Sequence, residues 1–372
     1  MNSRKIKICW LTATYFLDVD IPVVPKLQEA FDVDWIILST PSNAEEDKKM
    51  IEATRTKNFE IKLCGSNLFS LKTFLFYFRV IKQIAKKNYD MIYLDLSGMP
   101  YFHILAKWYL PVDKCVIAAH NVTTPKGARY YHLAKPYMEF IVRSFNKFQV
   151  FSSNQLKVLK SMKMNSEVLY APLCLKDYGK PTREKPENPV NFLFFGNIVE
   201  YKRVDILLNA VKLLKAKGIT NFKVRVCGYC PLKKWEAQYK PLIEDNGIVE
   251  CDIRRIPNNL IPNLFEESHY FVMPYQDIAQ SGAMTVAFCY NLPVIASELD
   301  TFKEFLIDQE DGYFFEPGNE EDLAQRMEFV IKNHHVIYNK LRAKQRQMVD
   351  EKLSNNTIIE KYKIYIDQIC QN

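Results

Sequence analysis

The sequence predicts an α/β protein with two doubly wound parallel-sheet domains, followed by a C-terminal helix that crosses back to the first domain. The chain has 372 residues, which is too long for a single ordinary core, so two domains are expected. In both halves, short apolar runs alternate with longer helical patterns, as is typical of parallel strands covered by helices on both faces. A polar segment with three prolines, GKPTREKPENPV at 179–190, is the predicted linker.

Eleven runs are predicted strands, six in the first half and five in the second. The first six are KIKICWLTA, VDWIILS, DMIYLDL, KCVIAAH, KFQVFSS and EVLYAP, and the other five are VNFLFFG, FKVRVCG, IVECDIR, HYFVMPY and LPVIAS. We therefore expect an N-terminal domain over 1–180, a second domain over 190–354, and a helix over 355–372 that packs back toward the first domain. Because ligands of doubly wound domains bind beyond the carboxyl ends of the strands, a site is expected in a cleft between the domains.

The composition is that of a globular protein from a reducing compartment. Nine scattered cysteines, most of them inside apolar runs, are typical of free thiols rather than of a disulfide framework. No run of eighteen apolar residues occurs, so no segment is expected to span a membrane. CGYC at 227–230 lacks a second ligand pair, and the DVD sequences at 18–20 and 32–34 are short enough to occur by chance. We therefore expect no metal and no cofactor.

Charge is distributed unevenly along the chain. Residues 1–180 hold 26 Lys/Arg and 16 Asp/Glu, whereas the remainder holds 24 and 27. Within the basic half, LKTFLFYFRVIKQIAKK at 71–87 predicts a helix with one apolar face, formed by Leu71, Phe74, Leu75, Phe78, Ile81 and Ile84. The other side carries basic residues and an aromatic ring: Lys72, Phe76, Arg79, Lys82 and Lys86. This pattern favours docking on a membrane surface over an ordinary solvated face, and no nucleic-acid partner is expected.

The start of the second half has the features of a phosphate site. In FLFFGNIVEYKRVDILLNAVKLL, Gly196 ends a buried strand and lets another molecule approach the backbone. Lys202 and Arg203 come just before an amphipathic helix, where two cations can neutralise a phosphate pair. Taken alone, the pair could equally be an ordinary basic surface.

A second segment supplies backbone donors. After the strand SHYFVMPY, the loop QDIAQSG leads into the buried helix AMTVAFCYN. The helix N-terminus presents free N–H groups near Ser281, Gly282 and Ala283, and the small side chains there let an anion come close. The simpler alternative is an ordinary helix start capped by Ser281.

Together these segments resemble the nucleotide-sugar domain of GT-B glycosyltransferases of family 4, group 1. VAFCYNLPVIAS parallels the family's EAMAcGlPVias sequence, and DGYFFEPGNEEDLA follows in the family's order. The resemblance is specific over most of 190–330. Over 1–180 it holds only in outline, through VIAAHNV and FQVFSSNQL, and it implies two Rossmann-like domains.

The resemblance also implies roles for individual residues. Lys202 and the Ser281–Gly282 helix start would bind the diphosphate of a nucleotide diphosphate-sugar. His120 would approach the transferred sugar. Glu304 would lie near the donor, and the backbone from Arg254 to Ile256 would frame the base.

This chain departs from the family pattern at several positions. Asn197 stands where the family has arginine, and Arg203 stands where it has glycine and can replace the lost charge. Of the family's two glutamates, the second falls on Val286, which cannot hold ribose hydroxyls. The first falls near Ile278 to Gln280, and Gln280 can still hydrogen-bond to a sugar.

We therefore expect a cytoplasmic glycosyltransferase, peripheral at the inner face of the plasma membrane, that serves bacterial-type surface polysaccharide assembly. Its donor would be a nucleotide diphosphate-sugar and its acceptor a glycan or a lipid-linked glycan. Retention is the expected stereochemistry. An inverting reaction would need a base, for which Asp18, Asp20 and His120 are the candidates. A nucleotide-sugar epimerase of the same fold and a non-catalytic binding module remain as alternatives.

Overall fold

A computed structural model describes residues 4–56, 58–65, 67, 69–97, 99–123, 131–244 and 247–371. The chain forms two compact units. The first unit contains Met1–Cys174 together with Asn355–Asn372, and the second contains Leu175–Ser354. Each unit has its own parallel sheet with helices, so the predicted α/β class is confirmed.

The first unit contains a seven-stranded parallel sheet in the order β3-β2-β1-β4-β5-β6-β7. Its strands are β1 (Lys7–Ala13), β2 (Asp32–Ser39), β3 (Phe59–Leu63), β4 (Met91–Asp95), β5 (Cys115–Ala119), β6 (Lys147–Val150) and β7 (Glu167–Tyr170). Its helices up to the unit boundary are α1 (Leu17–Asp20), α2 (Val24–Ala30), α3 (Ala44–Glu52), α4 (Leu71–Ala85), α5 (Phe102–Tyr109), α6 (Tyr131–Ser144) and α7 (Ser153–Met162). The strand order reverses between β1 and β4, so the sheet is doubly wound.

The second unit contains a six-stranded parallel sheet in the order β10-β9-β8-β11-β12-β13. Its strands are β8 (Val190–Phe195), β9 (Phe222–Cys227), β10 (Val249–Asp252), β11 (Tyr270–Met273), β12 (Val294–Ser297) and β13 (Gly312–Phe315). Its helices are α8 (Val204–Ala216), α9 (Leu232–Lys234), α10 (Ile261–Glu266), α11 (Gly282–Cys289), α12 (Asp300–Lys303) and α13 (Glu320–Met348). Here the order reverses between β8 and β11.

The final helix, α14 (Asn355–Gln371), belongs to the first unit. Successive residues of β1 face opposite sides of the sheet, because side chains alternate along a strand. Trp10 lies in one core, which also contains Ile358 and Tyr362 of α14, whereas Leu11 lies in the core on the other face. Gln149 of β6 donates a hydrogen bond to the Tyr362 hydroxyl. The predicted return of the C-terminal helix to the first domain is confirmed.

Two strands, β3 and β13, were not predicted from the sequence, and both lie at sheet edges. β3 pairs only with β2, and none of its five residues is fully buried, so it lacks the apolar run of a central strand. β13 has four residues, all of them buried, so neither its length nor its burial distinguishes it from the strands that were predicted.

The predicted linker at 179–190 lies inside the second unit, because the units divide at Cys174 and Leu175. The Thr182 N–H donates to Asn263 Oδ1 at 2.7 Å, and His269 Nε2 donates to the Pro186 carbonyl at 2.9 Å. These contacts bind the proline-rich segment to its own domain. The proline-rich segment is therefore part of the second unit and not a linker between the two units.

Candidate functional site

The candidate site of the second unit lies at the carboxyl edge of its sheet, where the strand order reverses. Gly196 follows β8, and Tyr275 follows β11. The Gln276 N–H donates to the Tyr201 carbonyl at 2.7 Å. This bond joins the two segments that the sequence singled out, the lysine-containing segment after β8 and the loop before α11. Doubly wound domains bind ligands at such a reversal.

Two glycines make the ends of β8 and β9 approach closely. Gly196 has φ +116° and Gly228 has φ +150°, both in the left-handed region. A Cβ atom on Gly228 would lie 1.9 Å from the Gly196 carbonyl oxygen. The Gly196 N–H donates to the Cys227 carbonyl at 3.0 Å, so this approach also secures the strand end. The ammonium of Lys202 lies directly beside Gly196, because a Cβ atom on Gly196 would be only 2.8 Å from Lys202 Nζ.

Lys202 is a buried cation for which the described residues supply no counter-charge. Its side chain is only 9% exposed, and its ammonium lies 5.1 Å from the ring centroid of Tyr275. Within the described residues, no carboxylate forms an ion pair with it. Burial lowers the pKa of Lys202 to about 8. An anion placed beside this ammonium would restore its charge and offset the cost of burying it.

Arg203, the second predicted phosphate cation, is already engaged. Its backbone is left-handed, with φ 46° and ψ 50°. Its guanidinium forms a bidentate pair with Asp205, with Nη2–Oδ2 at 2.7 Å, and Nη1 donates to Gln276 Oε1 at 3.3 Å. Arg203 therefore ties α8 to the loop after β11, and Asp205 neutralises much of its charge.

The N-terminus of α11 supplies the backbone donors that the sequence predicts. Ser281 caps the helix, accepting a hydrogen bond from the Met284 N–H at 3.3 Å. The helix behind it is buried from Met284 to Phe288 and includes Val286, so it holds the dipole in place. Gln280, Gly282 and Ala283 are half-buried at its start.

Two residues that the sequence analysis did not single out also border this region. The Tyr275 hydroxyl is buried and forms no hydrogen bond in the described part of the chain, although Ser281 is its polar neighbour. A Cβ atom on Gly282 would lie 2.9 Å from Lys176 Nζ, so the Lys176 side chain covers the helix start. No motif marks Lys176, whereas Tyr275 could have been inferred from its place at a strand end.

The remaining predicted donor residues lie after strands and helices of the second unit. Asn197 is exposed next to Gly196. Arg254 follows β10, is exposed, and pairs with Asp252 at 2.8 Å, while Ile256 is buried. Glu304 is half-buried and directly follows α12, and Thr301 of α12 donates to the Ile278 carbonyl at 2.8 Å.

In the first unit, His120 follows β5 at the carboxyl edge of the sheet and is 4% exposed. Its Nε2 lies 2.7 Å from Oδ1 of Asp95, the last residue of the neighbouring strand β4. Asp95 was not among the predicted residues, although the sequence carries a signal for it. One predicted strand ends in an acidic residue, and a histidine directly follows the next predicted strand. If these strands pair in parallel, both side chains lie at the same edge of the sheet.

Of the candidate bases, Asp20 is buried and accepts hydrogen bonds from Trp10 and Thr12. Among the described residues, no His, Cys, Asp and Glu cluster could hold a metal ion.

The basic helix predicted at 71–87 is α4, but its faces differ from the prediction. Its buried residues are Thr73, Tyr77, Val80, Ile81 and Ile84. Leu71 is 72% exposed and Leu75 is also exposed, whereas Phe76 is half-buried and packs beside Tyr77. The prediction of Phe76 as the exposed aromatic is therefore wrong, because the buried stripe is rotated toward Tyr77. The predicted basic residues are exposed: Lys72, Arg79, Lys82 and Lys86.

Helix α5 supplies the exposed ring instead. Trp108 is 76% exposed, and Tyr109 and Lys107 beside it are exposed too. Lys82 of α4 lies 4.4 Å from the ring centroid of Tyr109. These four residues (Lys82, Lys107, Trp108 and Tyr109) form the α4–α5 patch. No helix in the described ranges is long and apolar enough to cross a bilayer.

Tyr275 has both the buried Lys202 ammonium and the helix-capping Ser281 as neighbours, near the reversal point of the parallel sheet. Residues 179–351, a little under half of the chain, match the family described as glycosyl transferases group 1. The matched residues lie within the second unit, and the match supports a glycosyltransferase. This confirms the enzyme class that the sequence predicted. No curated protein matches the chain.

Solved structures share the fold over nearly the whole chain. A glycosyltransferase from Rickettsia africae matches with a TM-score of 0.77 and 18% identity, covering 100% of both chains. Anabaena HepE, solved with UDP and glucose, matches with a TM-score of 0.75 and 14% identity, covering 98% of this chain and 100% of that one. Sucrose-phosphate synthase from Thermosynechococcus elongatus matches with a TM-score of 0.79 and 11% identity, covering 99% and 100%. The predicted GT-B fold class is confirmed.

Proposed function

We propose that the protein transfers a sugar from a nucleotide diphosphate-sugar to a glycan or lipid-linked acceptor, in the assembly of a bacterial-type surface polysaccharide. The observation that carries the proposal is Lys202, a buried cation with no carboxylate partner among the described residues. A diphosphate is the dianion or trianion that such a lysine and a helix N-terminus accept together.

The second unit would accelerate the reaction by stabilising the departing diphosphate. Charge accumulates on that group as the bond to the sugar breaks, and preorganised donors aimed at developing charge lower the barrier. Lys202 would supply the full positive charge, and the N-terminus of α11 the fixed dipole. Arg203 would contribute less, because Asp205 already accepts hydrogen bonds from its Nε and Nη2 atoms. In a retaining transfer no side-chain base is required.

Uridine diphosphate-sugars are the first donors to test, which is supported by the UDP bound to HepE, a protein of similar fold. The test measures release of nucleoside diphosphate from each donor with and without extracts of lipid-linked glycan. We expect release that depends on the acceptor, with a new glycan product that keeps the donor's anomeric configuration. Conversion of the donor sugar without any acceptor would instead indicate an epimerase and contradict the proposal.

We further propose that the first unit holds the acceptor at a membrane, and that the enzyme works in the cytoplasm at the inner face of the plasma membrane. The proposal is supported by the α4–α5 patch, where exposed basic residues border exposed Trp108 and Tyr109. Aromatic side chains sit at the headgroup level, and each basic residue near an anionic surface contributes about 1 kcal/mol. The corrected anchor is therefore Trp108, not Phe76.

Trp108→Ala should weaken binding to vesicles containing anionic lipid about tenfold, as expected for loss of ~1.5 kcal/mol of buried ring. Lys82→Gln should weaken it about fivefold and reduce its salt dependence. Phe329→Ala, which removes another exposed aromatic ring from α13, is the matched control and should bind as the parent does. Co-sedimentation with vesicles measures all three. Equal binding to neutral and anionic vesicles, or no effect of Trp108→Ala, would contradict docking through this patch.

A further inference from the structure

Tyr275 is a fully buried residue in the loop that follows β11. Three aromatic rings lie around its own ring, with centroids at 6.5 Å for Phe194, 6.2 Å for Tyr201 and 5.9 Å for Phe302. These neighbours belong to β8, to the segment after β8 and to α12. Because the Tyr275 ring packs among three separate elements, it cannot turn without disturbing all of them.

The ammonium of Lys202 lies over this ring. Its Nζ atom is 5.1 Å from the ring centroid, within the distance of about 6 Å over which an aromatic face attracts a cation. On another side the ammonium lies beside Gly196, whose added Cβ would be 2.8 Å from Nζ. An aromatic face attracts a cation through its quadrupole and brings no full negative charge, unlike a carboxylate. The contact therefore holds the ammonium and leaves its charge available to an anion.

The hydroxyl end of Tyr275 is near the start of α11. Ser281 is the polar neighbour of that hydroxyl. Ser281 also caps the helix, since its Oγ accepts a hydrogen bond from the Met284 N–H at 3.3 Å. One rigid side chain thus contacts both parts of the predicted anion site, the ammonium through its ring and the helix cap through its hydroxyl.

We propose that Tyr275 is a positioning residue for Lys202: its ring attracts the ammonium without neutralising it and fixes its place relative to the N-terminus of α11. The inference rests on the proposed function, in which Lys202 meets the diphosphate of the donor. A preorganised cation stabilises developing charge better than a mobile one, because it need not reorient during the reaction. Tyr275 acts through Lys202 and not directly on the substrate.

Tyr275→Leu tests the proposal, because leucine keeps the position apolar but removes the ring. Burial lowers the pKa of Lys202 to about 8, and the ring opposes this shift by favouring the ammonium. Without the ring, the pKa of Lys202 should fall to about 7. In Tyr275→Phe, which keeps the ring, it should stay at about 8. ¹³C NMR of protein labelled at the lysine Cε atoms measures this without any ligand, and Lys202→Met identifies the signal by its loss.

The groups around Lys202 keep their charge while the lysine titrates. Burial raises the pKa of Tyr201 and of Tyr275, so both phenols stay neutral. Hydrogen bonding to Asp205 raises the pKa of Arg203, so this guanidinium stays charged. A change of the signal between about pH 6 and about pH 9 therefore reports the ammonium itself.

The same variants should differ in catalysis. With the ammonium no longer fixed, Tyr275→Leu should lower kcat for transfer about tenfold or more at neutral pH. The pH above which kcat/KM declines should move from about 8 to about 7, because this profile reports the pKa of the free enzyme. Tyr275→Phe should restore both quantities to within about twofold of the parent. A residue needed only for folding would lower the amount of active protein without moving the pH profile.

Tyr270→Leu is the matched control. Tyr270 is equally buried, on β11 itself, but its ring packs against Phe192 and Tyr338. Its replacement should lower stability and leave the pKa of Lys202 unchanged. Because the ring that is lost lies elsewhere, this variant separates the effect of a buried cavity from the effect of the contact with the ammonium.

A rise in the pKa of Lys202 toward the usual lysine value in Tyr275→Leu would show that the ring only excludes water, and would overturn the proposal. An unchanged pKa would overturn it as well. If Tyr275→Leu does not fold, the parent protein decides: the Lys202 Hε signals should lie upfield of those of exposed lysines, and ordinary shifts would contradict the contact. Failure of nucleoside diphosphates to bind the parent protein would instead refute the proposed function, while the lysine spectra would still decide the role of Tyr275.

Discussion

Lys202→Met should lower the rate of sugar transfer by a factor on the order of 10²–10³ while leaving the fold intact or more stable. The loss follows from removing the full charge that faces the departing diphosphate, and one preorganised electrostatic contact commonly contributes this much. A residue needed for folding would show the opposite combination, with lost stability and a proportionate loss of active protein. Transfer rates at saturating donor and urea unfolding of the same samples measure the two effects.

The sign of the stability change follows from the lowered pKa. Lys202 has a pKa of about 8 in the folded protein, below the usual lysine value of about 10.4 in the unfolded chain. At pH 7 the ammonium is charged in both states, so burying it destabilises the fold by an amount on the order of 3 kcal/mol. This destabilisation is fully present below pH 8 and is relieved as the pH rises through the range from about 8 to about 10.4. Methionine removes it.

Lys340→Met is the control for Lys202→Met, because Lys340 is an exposed lysine on α13 of the same unit. It should change neither transfer nor stability by more than about 0.5 kcal/mol. The advantage of Lys202→Met over the parent should shrink between pH 8 and pH 10. Full transfer activity in Lys202→Met, or a large loss of its stability at pH 7, would contradict the assignment.

Gly228→Ala should destabilise the second unit by about 3 kcal/mol or more, the largest stability effect that we expect from a single methyl group. Its Cβ would lie 1.9 Å from the Gly196 carbonyl oxygen and 2.6 Å from the carbonyl carbon. Both contacts are with backbone, so no side-chain rotation relieves them. The ends of β8 and β9 would have to separate, which would also displace Lys202 from its place over Gly196.

Gly218→Ala is the matched control for the conformational part of this cost. Gly218 also has positive φ, at +78°, but no atom lies within 4 Å of the position its Cβ would occupy. Its replacement should cost only about 1 kcal/mol. Urea unfolding of the two variants separates strain from collision. Similar losses in both would show that the close approach of the strand ends is unimportant.

The sequence alone predicts those site residues that follow a strand closely in the chain. Gly196, Lys202 and Ser281 follow apolar strands within a few residues, so the strand pattern alone locates them at the sheet edge. Gly228, whose backbone approaches Gly196, follows another strand, β9. Its role depends on how β9 pairs with β8. Arg203 shows the same limit, because its pairing with Asp205 depends on a left-handed turn.

Helix faces were predicted less well than strand ends. The apolar stripe expected for α4 included Leu71 and Leu75, which are exposed, and omitted Tyr77, which is fully buried. Phenylalanine and leucine occur nearly all around this helix, so periodicity could not select one face. The neighbouring helix α5 decides it, since Phe102 packs against Tyr77 with ring centroids 5.4 Å apart. That contact joins residues far apart in sequence.

The central claim is that Lys202 and the N-terminus of α11 bind the diphosphate of the donor. Calorimetric titration of each nucleoside diphosphate, beside its own nucleoside, into the parent protein and Lys202→Met tests it most directly. We expect one diphosphate, with UDP the first candidate, to bind the parent protein at least about 100-fold more tightly than its nucleoside, a difference of ~2.7 kcal/mol. Lys202→Met should lose most of that difference. Equal affinity for a nucleoside and its diphosphate, or an unchanged difference in Lys202→Met, would contradict the claim.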